Sequence, residues 1–238
     1  TGIVNRYWSY FFGRGIIDPV DDIRAGNPAS NPELLDALTK DFVEHNYDLK
    51  RLIRLICTSV TYQRSLAANQ WNEDDSSNFS HALPRRLAAE QLYDSIIQAA
   101  GAPRALPGVP AGFRAAELPD PQVEVAFLDM FGRPPRESPC ECERTSDVSL
   151  GQTLNMVNGA TIGDAIAHPQ GIIARTMASG ASTEQLIETI YLSVLCRQPS
   201  AEELQQAVGY FASAGTPKEA AEDLMWALIN SPGFLFNR

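Results

Sequence analysis

The chain has 238 residues, 44% hydrophobic and 20% charged, which is the composition of a globular protein able to bury a sizeable core and excludes disordered, collagen-like and coiled-coil classes. Its 29 acidic residues against 19 basic ones leave a net charge of −10, so duplex nucleic acid or an anionic membrane would meet a repulsive background, and neither is expected as a partner. No apolar run reaches the roughly 18 residues of a membrane-spanning helix, so no transmembrane segment is expected.

Ile3 to Phe12 is rich in aromatic residues and predicts a helix ended by the turn Gly13-Arg14-Gly15. The chain opens Thr1-Gly2-Ile3-Val4 without an initiator methionine, so it reads as a piece of a longer protein, truncated within its first helix. Asn31-Pro32-Glu33 starts a second helix carrying Leu34, Leu35, Leu38 and Phe42, and Asp48 caps a third with Leu49, Leu52, Ile53, Ile56 and Val60 on one face. A polar loop follows from Asn69 to Ser80. Pro84 then predicts the first turn of a helix running through Leu87, Leu92, Ile96 and Ile97 to Gly101.

Residues 101–147 hold eight of the 16 prolines, which excludes a long helix there. Only Val123 to Phe131 offers a short strand or a turn of helix. Phe113, Leu118, Val123, Val125, Phe127, Leu128, Met130 and Phe131 make the segment too apolar for a solvated linker, so it is expected to pack across the helices.

Beyond it, Ser182-Thr183-Glu184-Gln185 and Ser200-Ala201-Glu202-Glu203 have capping-box spacing, and Thr216-Pro217 places a proline at the first helical position. Each precedes an apolar stripe of helical period, predicting three helices joined by short connections that pack on one another. A weak internal echo relates Leu52 to Ser59, followed by Tyr62, to Leu224 to Ser231, followed by Phe234; a single pair is no solenoid. The expected fold is mainly α, a helical bundle with a long Pro-rich irregular segment packed across it. It reads as one integrated domain of three regions: 1–100, 101–147, and 148–238 with three to four helices.

The most specific constellation lies in the Pro-rich segment. Cys140 and Cys142 are one residue apart and flanked by Glu137 and Glu143, with Arg133, Arg136 and Arg144 around them. Two thiolates in an extended loop can share one metal, but a tetrahedral zinc needs two further ligands, and the remaining candidates, Cys57, Cys196, His45, His81 and His168, lack zinc-finger spacing. The same pair could form a strained, redox-active disulfide. The third reading is structural, with the arginines pairing neighbouring glutamates or forming a contact surface. Sixteen of the 19 basic residues are arginine, which fits either genomic base composition or the guanidinium's use in fixed ion pairs and recognition.

No Cys-x-x-Cys-His haem-attachment motif occurs, so no haem is expected in this chain. The phosphate-loop, nucleophile-elbow, zinc-protease and dinucleotide fingerprints are also missing from the sequence, so no catalytic residue is assigned. The clustered acids Asp18, Asp21, Asp22, Glu73, Asp74 and Asp75 lack the EF-hand pattern and read as caps and turns.

Together Asn5-Arg6-Tyr7-Trp8, Phe12-Gly13-Arg14-Gly15, Asn31-Pro32-Glu33-Leu34-Leu35, Tyr47-Asp48-Leu49-Lys50, Thr61-Tyr62-Gln63 and Leu83-Pro84-Arg85-Arg86-Leu87 form an ordered motif set. Cys140 to Arg144, Ala227 to Ser231 and Phe234 to Asn237 complete it. With these motifs the chain resembles the uncharacterised C-terminal domain of exported planctomycete proteins that also carry a planctomycete-type c-type cytochrome domain. The resemblance implies an extracytoplasmic (periplasmic or exported) setting and partners among the other domains of the parent chain, the cytochrome domain included. It transfers no catalytic residues.

The function expected is therefore a non-catalytic helical accessory or scaffold domain that presents the Pro-rich segment as its contact surface. The alternative is a thiol-redox or metal-binding module centred on Cys140 and Cys142 and coupled to electron transfer. A carbohydrate-binding reading rests on Trp8 and Trp71 as exposed aromatics.

Overall fold

The computed structural model describes residues 1–118, 123–135 and 149–237. The chain is mainly α and divides into two compact units, residues 1–85 and 86–237.

The first unit packs α1 (Gly2–Phe12), α2 (Pro32–Glu44) and α3 (Leu49–Thr58). Their starts and stops follow from local chemistry. Gly13 ends α1 at φ 79°, a left-handed position that favours glycine; Asn31 and Asp48 accept the Leu34 and Arg51 amides at the starts of α2 and α3. Val4, Trp8, Ile16, Ile17, Leu35, Phe42, Leu52 and Ile56 form the core. Trp8 stacks on Phe12 at 4.2 Å and meets the edge of Phe79 at 5.3 Å.

Asn5 is fully buried in this unit, its Nδ2 donating to the carbonyls of Ile17 at 2.8 Å and Val20 at 3.1 Å while its Oδ1 accepts the Ile17 amide at 2.8 Å. A helix side chain thereby satisfies the backbone of a loop that supplies Ile16 and Ile17 to the core. Gly15 is required beside it, because a Cβ there would lie 2.2 Å from the Ile17 carbonyl oxygen and 2.8 Å from Asn5 Nδ2.

Two expectations differ in this part of the chain. Val60 lies beyond α3 and is 77% exposed, because Ser59 Oγ donates to the Ile56 carbonyl at 2.7 Å where the chain leaves the helix. Pro84 does not open the fourth helix. Arg85–Arg86 is the short extended β1, Leu87 N–H donates to the Leu235 carbonyl, and α4 spans Ala89–Ala100, with Gln91 reaching back to the Ala88 amide.

The second unit is built around α4, α9 (Thr183–Leu195) and α11 (Pro217–Ile229), with α10 (Ala201–Ser213) against α9 and α11. Capping boxes at Ser182/Gln185 and Ser200/Glu203 are both formed, and Thr216 caps α11. Ile187, Tyr191 and Ala207 form the core between α9 and α10, flanked by Leu204, Val208, Phe211, Leu224 and Leu228. The remaining elements are α5 (Ala126–Met130), α6 (Leu150–Asn158), α7 (Ala160–Ile166), α8 (Ile172–Ala178), α12 (Pro232–Leu235) and β2 (Phe236–Asn237). Residues 149–237 thus carry seven helices where three to four are predicted; α6, α7 and α8 are short, and Ser149 caps α6 by a reciprocal pair with Gln152.

The described parts of the Pro-rich segment lie against this unit. Leu106, Ala115, Leu118, Phe127, Leu128 and Phe131 belong to its core, while Asp94 of α4 accepts the amides of Ala115 and Ala116 at 2.8 and 3.1 Å. The side chain of Arg133, 6% exposed, braces the segment internally by donating to the Val123 carbonyl at 2.8 Å and pairing with Asp129 at 2.6 Å. Among the described residues no helix is long and apolar enough to cross a membrane.

Candidate functional site

A cleft of about 310 Å³ opens in the second unit, lined by Arg86, Leu92, Phe131, Gln152, Thr153, Met156, Val157, Trp226, Asn230, Leu235 and Phe236. α6 supplies one wall and α11 another, while Arg86 and Phe131 stand together at one side. The walls are predominantly apolar. Its size is at the lower end of ligand-binding clefts, which run from roughly 300 to 1,000 Å³.

The polar side chains are tied in a defined order. Gln152 is only 6% exposed and uses both ends of its amide: Oε1 accepts from Arg86 Nη1 at 2.7 Å and from the Ser149 amide at 3.3 Å, and Nε2 donates to the Met130 carbonyl at 2.9 Å. The Arg86 guanidinium carbon also lies 5.2 Å from the centre of the Phe131 ring, a cation–π distance. Burial lowers the pKa of this guanidinium, yet arginine remains cationic at neutral pH. At the other wall Trp226 Nε1 donates to the Val157 carbonyl at 3.0 Å, and Asn230 Nδ2 to the Trp226 carbonyl at 2.9 Å.

α6 is inverted for a helix of a globular unit. It buries Gln152 and Met156 but leaves Leu150 75%, Leu154 54% and Val157 43% exposed, at positions i, i+4 and i+7. Trp226 beside Val157 and Met130 beneath Gln152 are also partly open.

The family described as a protein of unknown function, PSD1 (DUF1553), matches residues 2–211. The chain belongs to that family. No curated protein and no solved structure matches the chain. In this DUF1553 chain the matched stretch includes Arg86, Phe131 and α6, whereas Trp226, Asn230, Leu235 and Phe236 lie after it.

The sequence had singled out other residues of the DUF1553 chain. Cys140, Cys142, Glu137, Glu143, Arg136 and Arg144 lie outside the described residues. Arg133 is held by Val123 and Asp129 as described above and does not line the cleft. Cys57 is a half-buried free thiol, and Cys196 an exposed one at the left-handed C-cap of α9, φ 54°. Among the described residues, no three His, Cys, Asp or Glu side chains gather closely enough to hold a metal ion. His45 caps α2 near Asp41, and His168 Nδ1 accepts the Gln170 amide. Trp8 is 2% exposed and cannot offer its face to a sugar, although Trp71 is 87% exposed.

Asp75 acts as a turn organiser in the polar loop. Its carboxylate accepts the amides of Ser77, Asn78 and Ser80 at 2.8 to 3.0 Å, and hydrogen bonding from Ser80 and from the Asn78 and Ser77 amides holds its pKa well below the usual carboxylate range. The cleft itself escaped the sequence reading, because Arg86 and Gln152 are 66 residues apart. Ser149-x-x-Gln152 was the available signal for α6.

Proposed function

We propose that this DUF1553 chain is a non-catalytic accessory domain that docks the other domains of an exported, cytochrome-containing parent protein. The observation carrying it is the outward apolar stripe of α6, Leu150, Leu154 and Val157, continued by Trp226. Three apolar side chains at helical spacing facing water are the pattern of a helix face that a partner covers. The described apolar residues of the Pro-rich segment largely face the core, so the contact face proposed here is α6. The planctomycete setting, extracytoplasmic location and cytochrome neighbour come from the resemblance of the ordered motifs.

The test is binding of the purified chain to the purified cytochrome domain of its parent, measured by titration calorimetry. Leu150→Glu with Leu154→Glu should weaken binding at least tenfold while leaving the circular dichroism unchanged, since both side chains are exposed. Equal affinity of the folded double variant and the unaltered chain would refute α6 as the docking face.

A second reading rests on the sequence observation of two thiols separated by one residue. In it, Cys140 and Cys142 form a redox pair, or bind a metal with Glu137 and Glu143 as further ligands. Thiol titration before and after mild oxidation, with elemental analysis, decides it: reversible loss of two thiols or a stoichiometric metal supports the module, and four invariant thiols without metal rejects it.

A further inference from the structure

The cleft beside α6 contains a charge for which the docking reading has no use, and its chemistry stands whether or not α6 covers a partner. Arg86 is half-buried against Phe131, and among the described residues its guanidinium makes one hydrogen bond, from Nη1 to Gln152. Among the described residues no carboxylate pairs with it. The contrast with Arg133 in the same unit is direct: that buried guanidinium is neutralised by Asp129 at 2.6 Å. At Arg86 the corresponding acceptor is a buried amide, which orients the guanidinium but cannot neutralise it.

A partly desolvated cation without a counter-charge gains most from an anion that enters the same low-dielectric site. Gln152 is itself fixed by Ser149 and Met130, so the guanidinium is pre-oriented before any ligand arrives. The guanidinium N–H groups that no described residue engages form a fork that suits a carboxylate, whereas a phosphate dianion would bring two negative charges to one cation. Next to that fork the surface is apolar, with Phe131, Met156 and Trp226 placed to cover a hydrocarbon or aromatic body.

We propose that this cleft binds a small carboxylic acid with an apolar body, a medium-chain fatty acid or an aryl carboxylate, its head on Arg86 and its body between α6 and α11. A cleft of about 310 Å³ holds a ligand of that size and not a folded partner.

Octanoate and 1-octanol, matched in chain length, are the probes, titrated calorimetrically into the whole chain. The unaltered chain should bind octanoate at least tenfold more tightly than octanol. Arg86→Gln should weaken octanoate by about tenfold to a hundredfold, the range of a charge-assisted hydrogen-bond pair, and leave octanol within about threefold. Thr153→Trp, at an exposed position of the cleft wall, should fill the space and weaken both. Octanoate binding no tighter than octanol, or unchanged by Thr153→Trp, overturns the proposal, as does unchanged octanoate affinity in a folded Arg86→Gln variant. Should Arg86→Gln fail to fold, the acid-to-alcohol ratio and Thr153→Trp still decide, and α6 docking is unaffected by either result.

Discussion

Gln152 accepts a hydrogen bond from Arg86 at 2.7 Å across 66 residues of chain, from a position on α6 that is 6% exposed. The same amide joins three separate backbone or side-chain groups, so α6, the end of α5 and β1 share one anchor. Replacing it by alanine leaves a half-buried guanidinium, the Met130 carbonyl and the Ser149 amide without that partner. Gln152→Ala is expected to destabilise the second unit by about 2.5–6 kcal/mol, the sum of one charged and two neutral hydrogen bonds left unmade. Urea unfolding should show a lower midpoint for it, and an unchanged midpoint in Gln198→Ala, an exposed glutamine.

In the first unit the corresponding anchor is Asn5, fully buried and bonded to Ile17 and Val20. Asn5→Ala removes three hydrogen bonds at a fully buried position, so about 2–4 kcal/mol should be lost. Gly15→Ala should destabilise as well, since its Cβ would overlap the Ile17 carbonyl at 2.2 Å. Near-ultraviolet circular dichroism of the Trp8–Phe12–Phe79 cluster reports the first unit, and both variants should lose that signal at lower denaturant than the unaltered chain.

Much of the helical order was legible because it is local. Ser182 with Gln185 and Ser200 with Glu203 close their boxes over three residues, and Asn31, Asp48 and Thr216 cap within the same distance. The internal echo has a local basis too: Ser59 and Ser231 each donate from Oγ to the carbonyl three residues earlier, Ile56 at 2.7 Å and Leu228 at 2.6 Å. Pro84 misled because its helix-starting tendency is overridden three residues later, where Leu87 is drawn to Leu235. The cleft was illegible for the same reason. Its apolar walls come from α4, α6 and α11, and helical periodicity alone does not distinguish the buried Met156 from the exposed Leu154.

Arg133 offers a test of how the Pro-rich segment is held. Its guanidinium ties Asp129 on α5 to the Val123 carbonyl, while Phe127 stacks on Phe131 at 4.1 Å and both enter the core. Asp129 is 58% exposed at its side chain, so solvent screens the pair and the loss on Arg133→Met should be about 2 kcal/mol, below that of a fully buried ion pair. Hydrogen exchange should increase over residues 123–133 in that variant and stay unchanged in the first unit.

The α9–α10 connection supplies a pH-dependent case. Arg197 Nη1 and Nη2 each lie 2.7 Å from an oxygen of Glu203, the Ser200 amide donates to the same carboxylate at 2.7 Å, and these contacts lower the Glu203 pKa from 4.5 to about 2. A carboxyl whose pKa is depressed on folding binds fewer protons in the native state than in the unfolded one. Its stabilising contribution is therefore complete above pH 4.5 and lost as the pH falls toward 2. Glu203→Gln should lower the thermal midpoint modestly at pH 6 to 7, and the difference from the unaltered chain should shrink through that acid window and vanish near its lower end. A midpoint difference that stayed constant from neutral pH down to about 2 would refute a charge origin for the effect, because the glutamine amide keeps the Ser200 contact and removes only the charge that Arg197 reads.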